Sequence, residues 1–238
     1  DYGNQISNFV ESVYLRIREI KFKEKFVLKE NLYPGDYIKE IASNIVKDNE
    51  NIKADNLKDC FEELKRLSLK GSMSLIKDDL KRLGIVHDNF FSETELVKKD
   101  LVNKVVKQLQ SKNYVEEGFL SPPKGETLKN WKKIKRLVFK SSEFGDDTDR
   151  ALQKNDGSWT YFANDIAYHS NKIERKFNNL INILGADHTG YIKRISAAVA
   201  ALSNKKVKLN CKVCQLVKLY KNGKPLKDQA ILFLFKIY

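Results

Sequence analysis

The sequence predicts an α/β protein, with a parallel sheet in its second half behind a mainly helical first half. Three observations predict it. From residue 159 onward, short β-prone runs at 159–162, 179–184 and 207–213 alternate with segments of helical spacing. Before residue 120, apolar residues recur mostly at three-four spacing. Charge divides the chain at the same place. Of 44 Lys and Arg and 31 Asp and Glu, residues 1–120 hold 21 of each, so the whole net charge of +13 falls on residues 121–238.

The elements follow in order. Ile6, Phe9, Val10, Val13, Ile17 and Ile20 form one stripe of an amphipathic helix. Pro34-Gly35 breaks the chain, and Asp36 is suited to cap a second helix that turns Ile38, Ile41, Ala42, Ile45 and Val46 inward. Leu57, Phe61, Leu64 and Leu67 begin a third pattern. Gly71 interrupts it, and it resumes with Met73, Ile76, Leu80 and Leu83 before Gly84 offers a stop. Residues 90–96 read as a short strand, and Leu101, Val105 and Leu109 as a further helix. Ser121-Pro122-Pro123 ends regular structure. Beyond it, residues 159–162 are aromatic and β-prone. Asn164 is placed to cap a helix carrying Ile166, Ala167, Ile173 and Phe177. The run Leu180, Ile181, Ile183, Leu184 is typical of a strand buried on both faces. Ile192, Ile195, Val199 and Leu202 mark a helix, and Val207, Leu209, Cys211 and Val213 alternate as a strand does. Ligands of parallel sheets bind at the carboxyl ends of strands, which points to the turn after Phe162 and to Gly185-Ala186-Asp187-His188.

Composition narrows the function classes. At 42% hydrophobic and 32% charged residues, the chain forms a core rather than a disordered segment. No apolar run is longer than that at 230–235, which is far short of the ~20 residues that span a bilayer, so no membrane partner is expected. Three Cys make no disulfide framework, which suits a reducing cytoplasm. The chain starts at Asp1 without an initiator Met or a signal-like segment, and it reads as a piece of something longer. The positive charge suits a polyanion, although a solvated lysine-rich surface reads as well. Only eight of the basic residues are Arg, and Lys is a point charge fit for phosphate attraction rather than bidentate recognition. Lys124, Lys129, Lys132, Lys133, Lys135, Arg136 and Lys140, with Trp131 among them, form a backbone-binding stretch or a solvated linker.

Two constellations carry possible chemistry. The segment from Gly185 to Gly190 joins a strand to a helix, where free N–H groups suit phosphate or ribose. Asp187 is able to accept from sugar hydroxyls and His188 to donate or stack, while a plain N-cap Asp is the simpler reading. Tyr161, Asp165 and His169 are spaced by four, so Asp165 and His169 share a helix face. An Asp there pairs with a cationic ligand, or only favours the helix dipole. Cys211-x-x-Cys214 lacks the second pair of a zinc site, and no bound metal is expected.

Two long segments carry a resemblance: FGDDTDRALQKNDGSWTYFANDIAYH at 144–169 and INILGADHTGYIKRISAAVAAL at 181–202. They resemble bacterial arginyl-tRNA synthetases, which are class I enzymes. YPGDYIKEIA at 33–42 and DYGNQI at 1–6 are similar to upstream segments of the same family. The resemblance is weakest around 50–115. It implies a Rossmann-like parallel sheet, the class I catalytic core, incomplete here and carrying an inserted mainly helical region. It also implies ATP-dependent activation of arginine and its transfer to tRNA(Arg). Tyr161 and Asp165 would lie in the amino-acid pocket, with the Asp on the arginine guanidinium and His169 a pocket neighbour. Gly185, Asp187 and His188 would lie on the adenosine side of the ATP site. The implied partners are arginine, tRNA(Arg) and ATP, with Mg²⁺ accompanying the nucleotide, and a monomeric chain.

The departures define the rest of the expectation. The family's HIGH signature lies upstream of the DYGNQI-like segment, and its KMSKS-like loop follows a segment similar to NGKPLK at 222–227; neither stands in this sequence. Residues 228–238 are apolar and unlike the family, as a frame shift after Lys227 would leave them. The expected division is a helical start of the core at 1–35, a helical insertion at 36–120, the second half of the core at 121–227 and a divergent tail at 228–238. Both missing signatures stabilise charge on ATP in the transition state. The chain alone is therefore expected to aminoacylate little or not at all. The alternative is a non-catalytic remnant or a binding module for arginine or tRNA.

Overall fold

The computed structural model describes residues 4–120, 134–215, 220–221 and 224–225. They form two compact units that divide between Thr94 and Glu95.

The first unit packs three helices, α1 (Asn4–Phe22), α2 (Asp36–Asp48) and α3 (Leu57–Arg82), around one core. Val10, Val13 and Ile17 of α1 meet Ile38, Ile41 and Ala42 of α2 and Leu64 of α3, all fully buried. Asp36 is the first residue of α2, not its cap; Gly35 holds the cap position, and the Asp36 carboxylate favours the helix dipole instead. Gly71 does not interrupt α3. A Cβ there would stand 3.1 Å from Cγ2 of Ile41, so the glycine lets the two helices approach. Gly84, at φ +73°, ends α3 in a Schellman turn. Its N–H bonds to the Lys81 carbonyl at 3.0 Å, and that of Ile85 bonds to Leu80 at 2.8 Å. The pair β6 (Tyr220–Lys221) and β7 (Lys224–Pro225) is grouped with this unit.

Residues 90–96 are not a strand. Helix α4 (Glu93–Lys98) takes up residues 93–96 and buries Leu96, and residues 90–92 are irregular. One helical turn satisfies its own backbone, whereas a lone strand needs a partner.

In the second unit, α5 (Leu101–Ser111) buries Val102, Val105, Val106 and Leu109 and packs against α6 (Tyr161–Glu174). An antiparallel sheet, absent from the expected element order, joins β1 (Val115–Gly118), β2 (Arg136–Phe139) and β3 (Arg150–Ala151), with Val115 opposite Phe139. Its strands come from both sides of position 120. The compact division therefore falls at 94 rather than at the change in charge.

Among the described residues the parallel sheet has two strands, β4 (Asn179–Gly185) and β5 (Lys208–Cys214), joined through α7 (Ile192–Ser203). Residues 159–162 do not supply a third. Trp159 makes one isolated bridge to Gln153, and the chain then enters α6, whose N-cap is Thr160 rather than Asn164. The Thr160 hydroxyl accepts the Ala163 N–H at 3.3 Å. Nor is β4 buried on both faces: Leu180 is inside, but Ile181 and Ile183 are 63% and 73% exposed. No helix among the described residues is long and apolar enough to cross a membrane.

Candidate functional site

A cavity of about 610 Å³ opens where the start of α6, the 3-10 turn Ala186–Tyr191 after β4, the start of α7 and strand β3 come together. The Thr160 cap fixes where α6 begins, which carries Phe162 into the wall and Asp165 to the cavity one turn later. The turn leaving β4 brings His188 and Tyr191, α7 brings Arg194, and β3 brings Arg150.

Asp165 accepts a hydrogen bond at Oδ2 from the Tyr191 hydroxyl. Burial, and then the Asp165 charge, pushes the Tyr191 phenol well above its usual range, so it remains a donor. Asp146 is saturated: Arg150 donates to both its oxygens at 2.7 and 2.8 Å, Ser141 at 3.0 Å and the Asp147 N–H at 2.8 Å. Burial raises the Asp146 carboxyl, but these donors outweigh it and hold the group below its ordinary value.

The expected site residues separate on inspection. Tyr161 stands at the rim, 79% exposed, with Lys154 Nζ 5.8 Å from its ring centre. Asp165 lines the cavity. His169 does not; it is 4% exposed and lies behind the cavity wall. Its Nδ1 is 2.8 Å from the Asp165 carbonyl, and its Nε2 is 3.0 Å from the Asn182 amide nitrogen. Lys172 donates to the other end of Asn182 at 3.1 Å. Burial, and then the Lys172 charge, lowers the His169 pKa, so the ring is a neutral strut between α6 and β4. Of the other three residues, His188 lines the cavity, while Gly185 and Asp187 are not in its wall. A Cβ at Gly185 would meet only Oδ1 of Asp187, at 2.5 Å, the end of an exposed side chain that is free to swing aside.

Comparison with known proteins gives matches to arginine–tRNA ligases. The chain is 56% identical over 228 residues to the arginine–tRNA ligase of Pelagibacter ubique, a match covering 95% of this chain and 40% of that protein. It is 47% identical over 231 residues to the arginine–tRNA ligase of Ehrlichia chaffeensis, with 95% and 39% covered. The chain is homologous to a segment of arginine–tRNA ligases. A solved arginyl-tRNA synthetase structure from Campylobacter jejuni superposes with a TM-score of 0.72 at 30% identity, over 95% of this chain and 46% of that one. The Plasmodium falciparum arginyl-tRNA synthetase, at 14% identity and a TM-score of 0.52, shares the fold over 90% of this chain and 34% of its own. No family model matches. The chain spans about 40% of the length of the arginine–tRNA ligases it matches.

Sequence reasoning missed Tyr191, Arg194, Arg150 and Phe162 as cavity residues. The available signal was the scarcity of arginine. With eight Arg among 44 basic residues, an Arg marks a place where a fork is wanted, as Arg150 on Asp146 shows. The basic stretch is only partly described, since Lys124, Lys129, Trp131, Lys132 and Lys133 lie outside the described residues, as do residues 228–238. Lys135 and Lys140 are paired to Glu117 and Glu116 of β1 at 2.5 and 2.7 Å. Cys211 and Cys214 stand three apart in β5, so they point to opposite faces. Among the described residues, no group of three His, Cys, Asp or Glu is placed to hold a metal.

Proposed function

We propose that this chain supplies the arginine-recognising part of an arginine–tRNA ligase, the enzyme that activates arginine with ATP and transfers it to tRNA(Arg). One observation carries the reading: Asp165 lines the cavity with its Oδ2 fixed by Tyr191. A guanidinium presents parallel N–H donors that match a carboxylate fork, and a carboxylate held in one orientation loses little entropy on binding it. Tyr161 at the rim flanks the entering side chain. His169 locks the turn of α6 that bears Asp165 against β4 through Asn182.

His188, on the turn after β4, sits on the adenosine side, with Asp187 near it for ribose hydroxyls. ATP enters as substrate with its magnesium. The β4–β5 pair belongs to a larger Rossmann-like parallel sheet; the exposed Ile181 and Ile183 support this, because a parallel sheet is covered on both faces. The excess positive charge after residue 120 suits the tRNA backbone.

A second reading is favoured by one sequence fact. The HIGH and KMSKS-like signatures are not among these 238 residues, so the chain alone is a binding module without turnover. Calorimetric titration with arginine tests the first reading: binding is expected, with at least a tenfold loss in Asp165→Asn. Equal affinity in the variant would sink it. ATP–pyrophosphate exchange with arginine tests the second, and clear exchange by the isolated chain refutes it.

A further inference from the structure

Arg194 is the one cavity residue that the pairing described above leaves unexplained. It projects from the first turn of α7 into the wall that also holds Arg150. Its Nε is buried without a hydrogen-bond partner, and among the described residues no carboxylate forms an ion pair with it. The nearby carboxylates are spoken for. Asp146 is saturated by Arg150, Ser141 and the Asp147 N–H. Asp147 binds Lys193 at 2.7 Å, and Asp165 Oδ2 is held by Tyr191. What Arg194 does have is two aromatic rings, with its guanidinium carbon 5.2 Å from the centre of Tyr191 and 5.8 Å from that of Phe162. Both lie within cation–π range, and neither ring supplies a hydrogen-bond acceptor for the guanidinium edges.

A half-buried cation without a counter-ion is unfavourable, the more so beside a second guanidinium. Burial, and then repulsion from Arg150, lowers the Arg194 pKa, in keeping with a site short of negative charge. An apolar side chain would fill the same space at less cost.

We infer that Arg194 is an oxyanion-binding residue of this cavity, taking the carboxylate or phosphate of a bound substrate. The cavity is then bipolar, with Asp165 for the cationic end of a ligand and Arg194 for an anionic group. Naming substrates as the source rests on the ligase reading above; the subsite itself does not.

Two ligand pairs separate the sources when titrated calorimetrically into the full chain. Arginine against argininamide isolates a carboxylate, and AMP against adenosine isolates a phosphate. In at least one pair the anionic member is expected to bind at least tenfold more tightly. Arg194→Gln and Arg194→Met are expected to abolish that difference while the melting temperature holds or rises. No difference in either pair, or a difference that persists in both variants, overturns the inference. So does a melting temperature that falls in both variants, because Arg194 is then structural. Asp165→Asn keeps the two ideas apart: unchanged arginine binding there defeats the ligase reading, while the AMP pair still tests Arg194.

Discussion

Asp165 shows how one residue takes its meaning from its neighbours. In a helix of this kind an Asp near the start is ordinarily a dipole partner. Here Tyr191 reaches it from the turn after β4, 26 residues away in sequence, and fixes one oxygen. Tyr191→Phe keeps the ring and removes the donor; a hydrogen bond to a charged group is worth about 1.5–3 kcal/mol, so the variant is expected to lose stability of about that size in urea melts. His169 works in the opposite way, through what it does not do. Folded, its pKa lies below the ordinary 6.5 because burial disfavours the cation. The unfolded chain therefore binds more protons as pH falls below about 6.5, and the stability held above that value is lost down toward the folded pKa. Chemical denaturation at pH 7 and pH 5 is expected to show this loss, and His169→Gln is expected to reduce it.

At the scale of elements, two local devices set the site's frame. Thr160 caps α6 and so decides which turn presents Asp165. Thr160→Ala is expected to lower stability by about 1 kcal/mol in thermal or urea melts. Gly71 lets α3 lie against Ile41 of α2, with 3.1 Å to a would-be Cβ. Gly71→Leu forces a full side chain into that contact and is expected to cost about 1–3 kcal/mol, despite leucine's better helix propensity. Both features were misread from the sequence for the same reason. A glycine in a helical pattern and a β-prone run before a helix are judged by local preference, whereas packing and capping overrule it.

For the molecule as a whole, charge is the property that sequence expresses best. All +13 net charges lie after residue 120, and β1's Glu116 and Glu117 neutralise only two of the lysines there. The tRNA binding proposed above is accordingly expected to weaken roughly tenfold or more between about 50 and 200 mM salt in a filter-binding assay, as an affinity supplied by released counterions does. A salt-independent affinity would remove electrostatics from the account.

Much could be read without coordinates. The apolar stripes of α1, α2, α5 and α7, the strands β4 and β5, and the family resemblance carried by 144–169 and 181–202 are local or contiguous patterns. Asp165 and His188 stand within such patterns, and both line the cavity. Pairings between distant segments had no such signature. Strand β1 meets β2 across the Pro-rich break, Tyr191 meets Asp165, and Arg194 stands over Phe162 with no carboxylate left for it. Periodicity records which face of a segment avoids water. Which segment then covers that face, and which charge is left without a partner, depends on how the chain packs.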